Sequence, residues 1–190
     1  MTLKAYIHYF KSVLNGVELN APYDNPEYLN YVRLNCSRHQ RWMKIGDVDP
    51  DLEAMTDMLN EPQKWIFITE PWCGDAAHIL PFVVKLTQDN PMIDLEIQRR
   101  DHEPFLIERY LTGTSRSIPK LIIREKTGTD LLVWGPRPKR CQALYDRLKN
   151  NQEEDGKLHI DIQNWYNKDK GISFQRELLG LMKKVSKIRY

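Results

Sequence analysis

The chain has 190 residues, of which 41% are hydrophobic and 28% are charged, and its 28 basic and 26 acidic side chains leave a net charge of +2. This composition is that of a globular domain with its own core and excludes wholesale disorder. The near balance of charge predicts neither nucleic acid nor a membrane surface as a partner.

The chain has three cysteines, Cys36, Cys73 and Cys141. This small, odd number does not predict a disulfide framework. We see no signal peptide and no transmembrane run, so we expect a cytoplasmic protein. Charge is uneven only from Lys168 to Tyr190, where seven basic residues face two acidic ones. This stretch predicts the solvated face of a terminal helix, with an anionic partner as the alternative.

Residues 1–63 are expected to form an N-terminal arm and helices that pack on the core. The first 25 residues mix aromatic residues with glycine and proline, which predicts a loosely packed arm. Apolar spacing predicts a helix from Glu27 to Lys44, and Asp49-Pro50-Asp51 has the residues that begin a second helix.

Residues 64–150 predict a core of alternating strands and helices. The predicted strands are Trp65–Thr69, Ile93–Ile97, Lys120–Ile123 and Leu131–Trp134, and the predicted helices are Ala76–Gln88, Glu103–Leu111 and Pro136–Leu148. This order predicts an α/β fold with a mixed four-stranded sheet flanked by helices, in which the first two strands are parallel.

Residues 151–190 predict a C-terminal helical extension. Its last helix has an apolar stripe formed by Phe174, Leu178, Leu181, Met182 and Val185. We expect the stripe to pack on the domain, with a homodimer interface as the alternative.

Cys73 carries the clearest chemical signal, because it lies where a predicted buried strand ends and a helix begins. Unpaired N–H groups and the helix dipole favour negative charge at that point. We therefore expect a lowered pKa and a reactive thiolate, with an inert buried cysteine as the alternative.

Three segments resemble thioredoxins. The run Glu70-Pro71-Trp72-Cys73-Gly74-Asp75-Ala76 resembles the thioredoxin active site, Arg116-Ser117-Ile118-Pro119-Lys120-Leu121 resembles the segment that carries its cis-proline, and Gly135 follows the hairpin as in that family. More narrowly, the chain resembles a group of poorly characterised bacterial thioredoxin-family proteins. This resemblance implies a thioredoxin-like fold with Cys73 at the site. It further implies a substrate groove formed by Trp72, Gly74, Asp75, Ile118 and Pro119, in which Ile118 offers backbone hydrogen bonds.

Two departures from the family pattern bear on activity. Ala76 occupies the place of the second, resolving cysteine, which a dithiol enzyme needs to release a mixed disulfide. Phe67 occupies the place of the buried acid that helps to deprotonate that sulfur. Both departures argue against ordinary dithiol disulfide reduction.

Four further side chains and one basic cluster leave alternatives open. Asp75 either caps the helix or raises the pKa of Cys73. His78 is expected to pack against a helix or lie on the surface, with a place at the rim of the site as the alternative. Cys36 and Cys141 are expected to be unrelated to the site, with resolution of Cys73 as the alternative if the fold brings either one near. The basic cluster Arg137-Pro138-Lys139-Arg140 predicts a solvated turn, with an anion site as the alternative.

No cofactor signature and no metal-binding pattern is present, so we predict neither. The leading hypothesis is monothiol disulfide exchange, in which Cys73 forms a mixed disulfide with a protein or a low-molecular-weight thiol. The alternatives are a non-catalytic binding module that keeps the groove, and a redox sensor whose thiol is oxidised to a sulfenic acid.

Overall fold

The computed structural model describes residues 1–17 and 20–188, and the predictions for Glu18, Leu19, Arg189 and Tyr190 lie outside these residues. The helices are α1 (Leu3–Leu14), α2 (Pro26–Ile45), α3 (Pro50–Asp57), α4 (Gly74–Thr87), α5 (Lys139–Asn150), α6 (Asp155–Asp169) and α7 (Ile172–Ile188). The strands are β1 (Gln63–Thr69), β2 (Ile93–Arg99), β3 (Lys120–Glu125) and β4 (Asp130–Trp134). Within the described part of the chain, no helix is both long and apolar enough to cross a bilayer.

The four strands form one mixed sheet in the order β2-β1-β3-β4, which confirms the predicted fold class. β1 pairs in parallel with β2 and antiparallel with β3, and β4 returns antiparallel to β3. β1 is central, and its Trp65, Phe67 and Ile68 are fully buried. A continuous apolar run is what a strand covered on both faces requires.

α4 follows β1 after a short turn and packs against α2. Nearly every side chain of α4 is buried, and Pro81 lies inside it. Its first turn therefore begins at the carboxyl end of the central strand, with the sheet on one side and α2 on another. This is the position in which the chain places Cys73.

The predicted helix from Glu103 to Leu111 is wrong, because only a four-residue 3-10 turn, Leu106–Arg109, forms there. Phe105 immediately before it adopts a left-handed conformation with φ 53°, which an α-helix does not continue through. The sequence of the first 25 residues also allows a short helix, and α1 forms there; the arm is not loosely packed, because α1 buries Tyr6 and Val13 against the rest of the chain.

The last helix, α7, is joined to the core by polar contacts as well as by its apolar stripe. Phe174, Leu178 and Met182 are buried within the chain, as expected for a stripe that packs on the domain. Glu177 accepts hydrogen bonds from Trp134 Nε1 on β4 at 2.9 Å and from Lys139 N at the start of α5 at 2.7 Å.

On the opposite side of α7, Gln175 accepts from Asp49 N and donates to Asp47 O beside α3. The basic residues Arg176, Lys183 and Lys184 point to solvent, as predicted for this stretch.

Candidate functional site

Cys73 is the N-cap residue of α4, directly after the turn that follows β1. Its side chain is only 5% exposed, and Sγ donates a hydrogen bond to Ile118 O at 3.6 Å. The sequence motif and the Ile118-Pro119 segment, which are 45 residues apart, therefore meet at the sulfur. The thiol lies under a backbone carbonyl rather than open to solvent.

The Ile118–Pro119 peptide bond is cis, and Pro119 is buried just before β3. Gly135, which directly follows β4, packs against the backbone of this segment. A Cβ on Gly135 would lie 2.2 Å from Pro119 O, and the backbone there has φ +122°. Only glycine meets both conditions, which gives a physical reason for the glycine after the hairpin.

A groove of about 680 Å³ runs past Cys73, and Trp72, Gly74, Asp75 and Ile118 all line it. Pro119 is not part of its lining. Trp72 forms one wall and is held edge-on by Tyr28 of α2, with ring centroids 6.1 Å apart. Its other side carries the guanidinium of Arg100, 4.6 Å from the ring centroid.

Elements outside the predicted 64–150 core complete this groove. α6 contributes Leu158, His159 and Tyr166, and α2 contributes Tyr28 and Arg38. The predicted terminal extensions thus line the candidate site as well as packing on the core.

Asp75 is buried at the base of the groove and joins three elements. Its Oδ2 forms an ion pair with Arg137 Nη2 at 2.8 Å, and its Oδ1 accepts from Tyr166 OH at 2.9 Å. The prediction of a solvated turn at Arg137 is wrong, because this side chain pairs with Asp75 and lies over the ring of Tyr145 at 4.2 Å. Burial raises the pKa of Asp75, and Arg137 and Tyr166 oppose that rise.

His78 packs between helices, as expected, and does not reach the sulfur. It is 3% exposed, and its Nδ1 accepts from Trp42 Nε1 at 2.8 Å. Its Nε2 lies 3.0 Å from Gln163 Oε1, and its ring stacks on Tyr166 at 4.5 Å. His78 therefore joins α2, α4 and α6 and also lines the groove.

The expected lowering of the Cys73 pKa is wrong. Burial and the nearby Asp75 carboxylate raise the pKa of the Cys73 thiol to about 12, although backbone hydrogen bonds from Ala76 and Asp75 oppose the rise. The helix start thus acts in the expected direction, but desolvation outweighs it. A thiol with this pKa is almost wholly protonated at neutral pH.

The other two cysteines are also free thiols. Cys141 is fully buried beside Tyr166, and burial raises its pKa to about 12. Cys36 lies on α2 and lines a second cavity of about 250 Å³ together with Cys73. Desolvation raises the pKa of Cys36 as well.

Glu70 is a buried acid near Cys73 that its position in the sequence does not mark as a site residue. Phe67 is fully buried in the place of the family's acid, but Glu70 supplies a buried carboxylate directly after the carboxyl end of β1. Its oxygens accept from Tyr23 OH and Asp101 N, each at 3.2 Å. Burial raises the pKa of Glu70. The available signal was an acidic residue that directly continues an apolar strand.

Among the described residues, no three His, Cys, Asp or Glu side chains are grouped in the way that a metal ion requires. The groove is lined by the Cys73 thiol, guanidinium groups, two imidazoles, two carboxylates and aromatic rings.

Comparison with known proteins identifies a family. A family model described as thioredoxin matches residues 23–149. No curated protein matches the chain. A protein of unknown function from Pseudomonas aeruginosa is similar in structure, with a TM-score of 0.47 and 16% identity, over 77% of this chain and 86% of its own. An HIV epitope scaffold has a TM-score of 0.48 and 16% identity, over 97% of this chain and 95% of its own.

Proposed function

Since this chain belongs to the thioredoxin family, whose model spans most of its length, we propose that it is a binding module that holds an extended segment of a partner protein beside Cys73 without redox turnover. The observation that carries the proposal is the state of the thiol. Cys73 Sγ is buried and donates its hydrogen bond to Ile118 O, while Ala76 stands where a resolving cysteine would act.

The backbone beside the groove supports an extended ligand. Residues 112–117 are exposed or half-buried and lie outside the sheet. Within the described chain, the N–H groups of Arg116, Ser117 and Ile118 donate no backbone hydrogen bond. An extended segment pairs with such groups as an added strand does, while side-chain pockets select its sequence.

The size of the groove supports the same proposal. Its volume of about 680 Å³ lies within the range of about 300–1,000 Å³ that is usual for ligand sites. Trp72, Tyr28 and Tyr31 give it aromatic surface, which binds peptide side chains with little loss of conformational entropy.

Monothiol disulfide exchange is the second candidate. It is favoured by the backbone hydrogen bonds that Ala76 and Asp75 direct at the Cys73 sulfur, since these stabilise a thiolate. In that reaction the thiolate attacks a disulfide sulfur, the S–S bond breaks, and the departing thiolate takes up a proton. An external thiol would then release Cys73.

The rate of Cys73 alkylation distinguishes the two functions. Iodoacetamide labelling of the native protein is followed against pH by mass spectrometry, with the unfolded chain in denaturant as the free-thiol reference. A pKa of about 12 against about 8.5 for free cysteine predicts native labelling at pH 8 about three orders of magnitude slower than the reference.

A native pKa below about 8.5 would overturn the binding module. In that case glutathione disulfide would give a mixed disulfide in an exchange enzyme, whereas peroxide would give a sulfenic acid in a sensor. Binding of extended peptides that survives Cys73→Ser is the positive result expected of a binding module.

A further inference from the structure

The lining of the groove is much more basic than the chain as a whole. Five cationic side chains face it against two acidic ones, and these seven are Arg38, Arg100, Arg116, Arg137, Lys149, Glu27 and Asp75. The complete chain carries only two more basic than acidic residues. Asp75 is already engaged by Arg137 and Tyr166. A ligand in the groove therefore meets a surplus of positive charge.

Arg38 lies at a helix start that disfavours a cation, and the Asp75 carboxylate near it is already engaged by Arg137 and Tyr166. A Cβ on Gly74 would lie 3.5 Å from Arg38 Nη1, so the guanidinium covers the start of α4. Its Nη1 donates to Asn35 Oδ1 at 2.8 Å, and Asn35 Nδ2 donates to Pro71 O at 3.0 Å. This chain of hydrogen bonds fixes the cation at the positive end of the helix dipole.

A second cationic position lies on the ring of Tyr145. Arg137 Cζ is 4.2 Å and Lys149 Nζ is 5.9 Å from the centroid of that ring. The buried Nε of Arg137 has no hydrogen-bond partner among the described residues. A buried donor without a partner costs free energy until an acceptor reaches it.

Arg100 and Arg116 contribute less to this surplus. Arg100 is paired with Asp101, and Arg116 forms an ion pair with Glu108. Asp101 and Glu108 therefore offset the positive charges of these two arginines. Arg137 is likewise paired with Asp75. Among the described residues, the groove cations without an ion-pair partner are therefore Arg38 and Lys149, and Arg137 adds its unpartnered Nε.

We propose that the groove selects an acidic segment of the partner protein, with one carboxylate against Arg38 and another against the Arg137–Lys149 pair. The inference rests on the proposed binding function and adds its ligand class. Carboxylate is the chemistry that guanidinium groups bind with paired hydrogen bonds. Trp72 and Tyr145 supply surface for the apolar side chains between the acidic ones.

The test is an array of immobilised peptides read with fluorescently labelled protein. The peptides share random backgrounds of Val, Thr, Ser and Tyr, and differ within each background only in carrying Glu or Gln. We expect Glu peptides to bind about tenfold more tightly, because a charge-assisted hydrogen bond is stronger than a neutral one. The advantage should shrink as salt is raised, since exposed charges are screened.

Variants then assign the effect to the two positions. Arg38→Gln and Lys149→Gln should each lower affinity for Glu peptides several-fold and so reduce the ratio of Glu-peptide to Gln-peptide affinity. Arg176→Gln on the exposed side of α7 is the matched control and should change neither. Circular dichroism confirms that each variant is folded.

Each outcome decides a separate point. Equal binding of Glu and Gln peptides overturns the acidic ligand and leaves the binding module standing. Absence of binding to every peptide overturns both proposals. Equally tight binding of oligothymidylate, competing with the Glu peptides, overturns selection of an acidic protein segment in favour of a general polyanion site.

Discussion

Protonation of His78 should weaken the fold at mildly acidic pH. The indole of Trp42 only donates, so Nδ1 of His78 must accept and the ring is neutral with its proton on Nε2. A second proton on Nδ1 would face the indole N–H. Burial accordingly lowers the pKa of His78 from 6.5 to about 4.

The sign and size of the effect follow from these two pKa values. As pH falls below 6.5, the unfolded chain binds a proton at His78 that the folded chain does not bind until about pH 4. Stability is therefore complete above pH 6.5 and is lost progressively towards pH 4. Between pH 7 and pH 5 the loss from this one group is about 2 kcal/mol.

The assay compares urea unfolding of the wild type and His78→Gln at both pH values. Burial also lowers the pKa of His39 to about 4, and that contribution persists in both proteins. The difference between their pH slopes isolates His78, and we expect the variant to lose about 2 kcal/mol less than the wild type over this interval. Identical slopes, or an NMR titration of His78 near pH 6.5 in the folded protein, would refute the neutral buried ring.

Three other substitutions test the site. Gly135→Ala places a methyl group against Pro119 O at a φ that alanine rarely adopts, and it should cost about 3 kcal/mol in urea unfolding; a loss below about 1 kcal/mol would contradict the close approach. Asp75→Asn removes a negative charge beside Cys73 and should speed alkylation of Cys73 in the native protein at pH 8, and slower alkylation would contradict this. The substitution also breaks the buried ion pair with Arg137, which should cost about 3 kcal/mol of stability. Glu177→Gln weakens the cap of α5 and should lower the unfolding free energy by about 0.5–1 kcal/mol, and an unchanged value would mean that the carboxylate charge contributes nothing there.

The sheet was predictable because its signals are local. The apolar run at Trp65–Thr69 predicts a buried strand, and the turn between β3 and β4 predicts a hairpin, each from consecutive residues alone. The helix that failed to form illustrates the limit. Glu103–Leu111 has acceptable helix formers, but the left-handed backbone at Phe105 allows only a short turn after it.

The character of Cys73 was not predictable, because two opposing effects depend on tertiary structure. The helix start, which favours a thiolate, is visible in the sequence. The carbonyl of Ile118 that covers the sulfur comes from 45 residues away. The direction of the Asp75 side chain is set by Arg137 and Tyr166, which are also distant in the sequence. Burial then reversed the expected pKa shift.

The hydrogen bonds of α7 show that the folding unit extends beyond the segment that matches the family. The family match ends at residue 149, yet Trp134 Nε1 and the first N–H of α5 depend on Glu177 for their acceptors. A fragment cut at the family boundary would expose these donors and the apolar surface under Phe174. Such a fragment should aggregate or unfold, so any graft or truncation of this protein should carry its last helix.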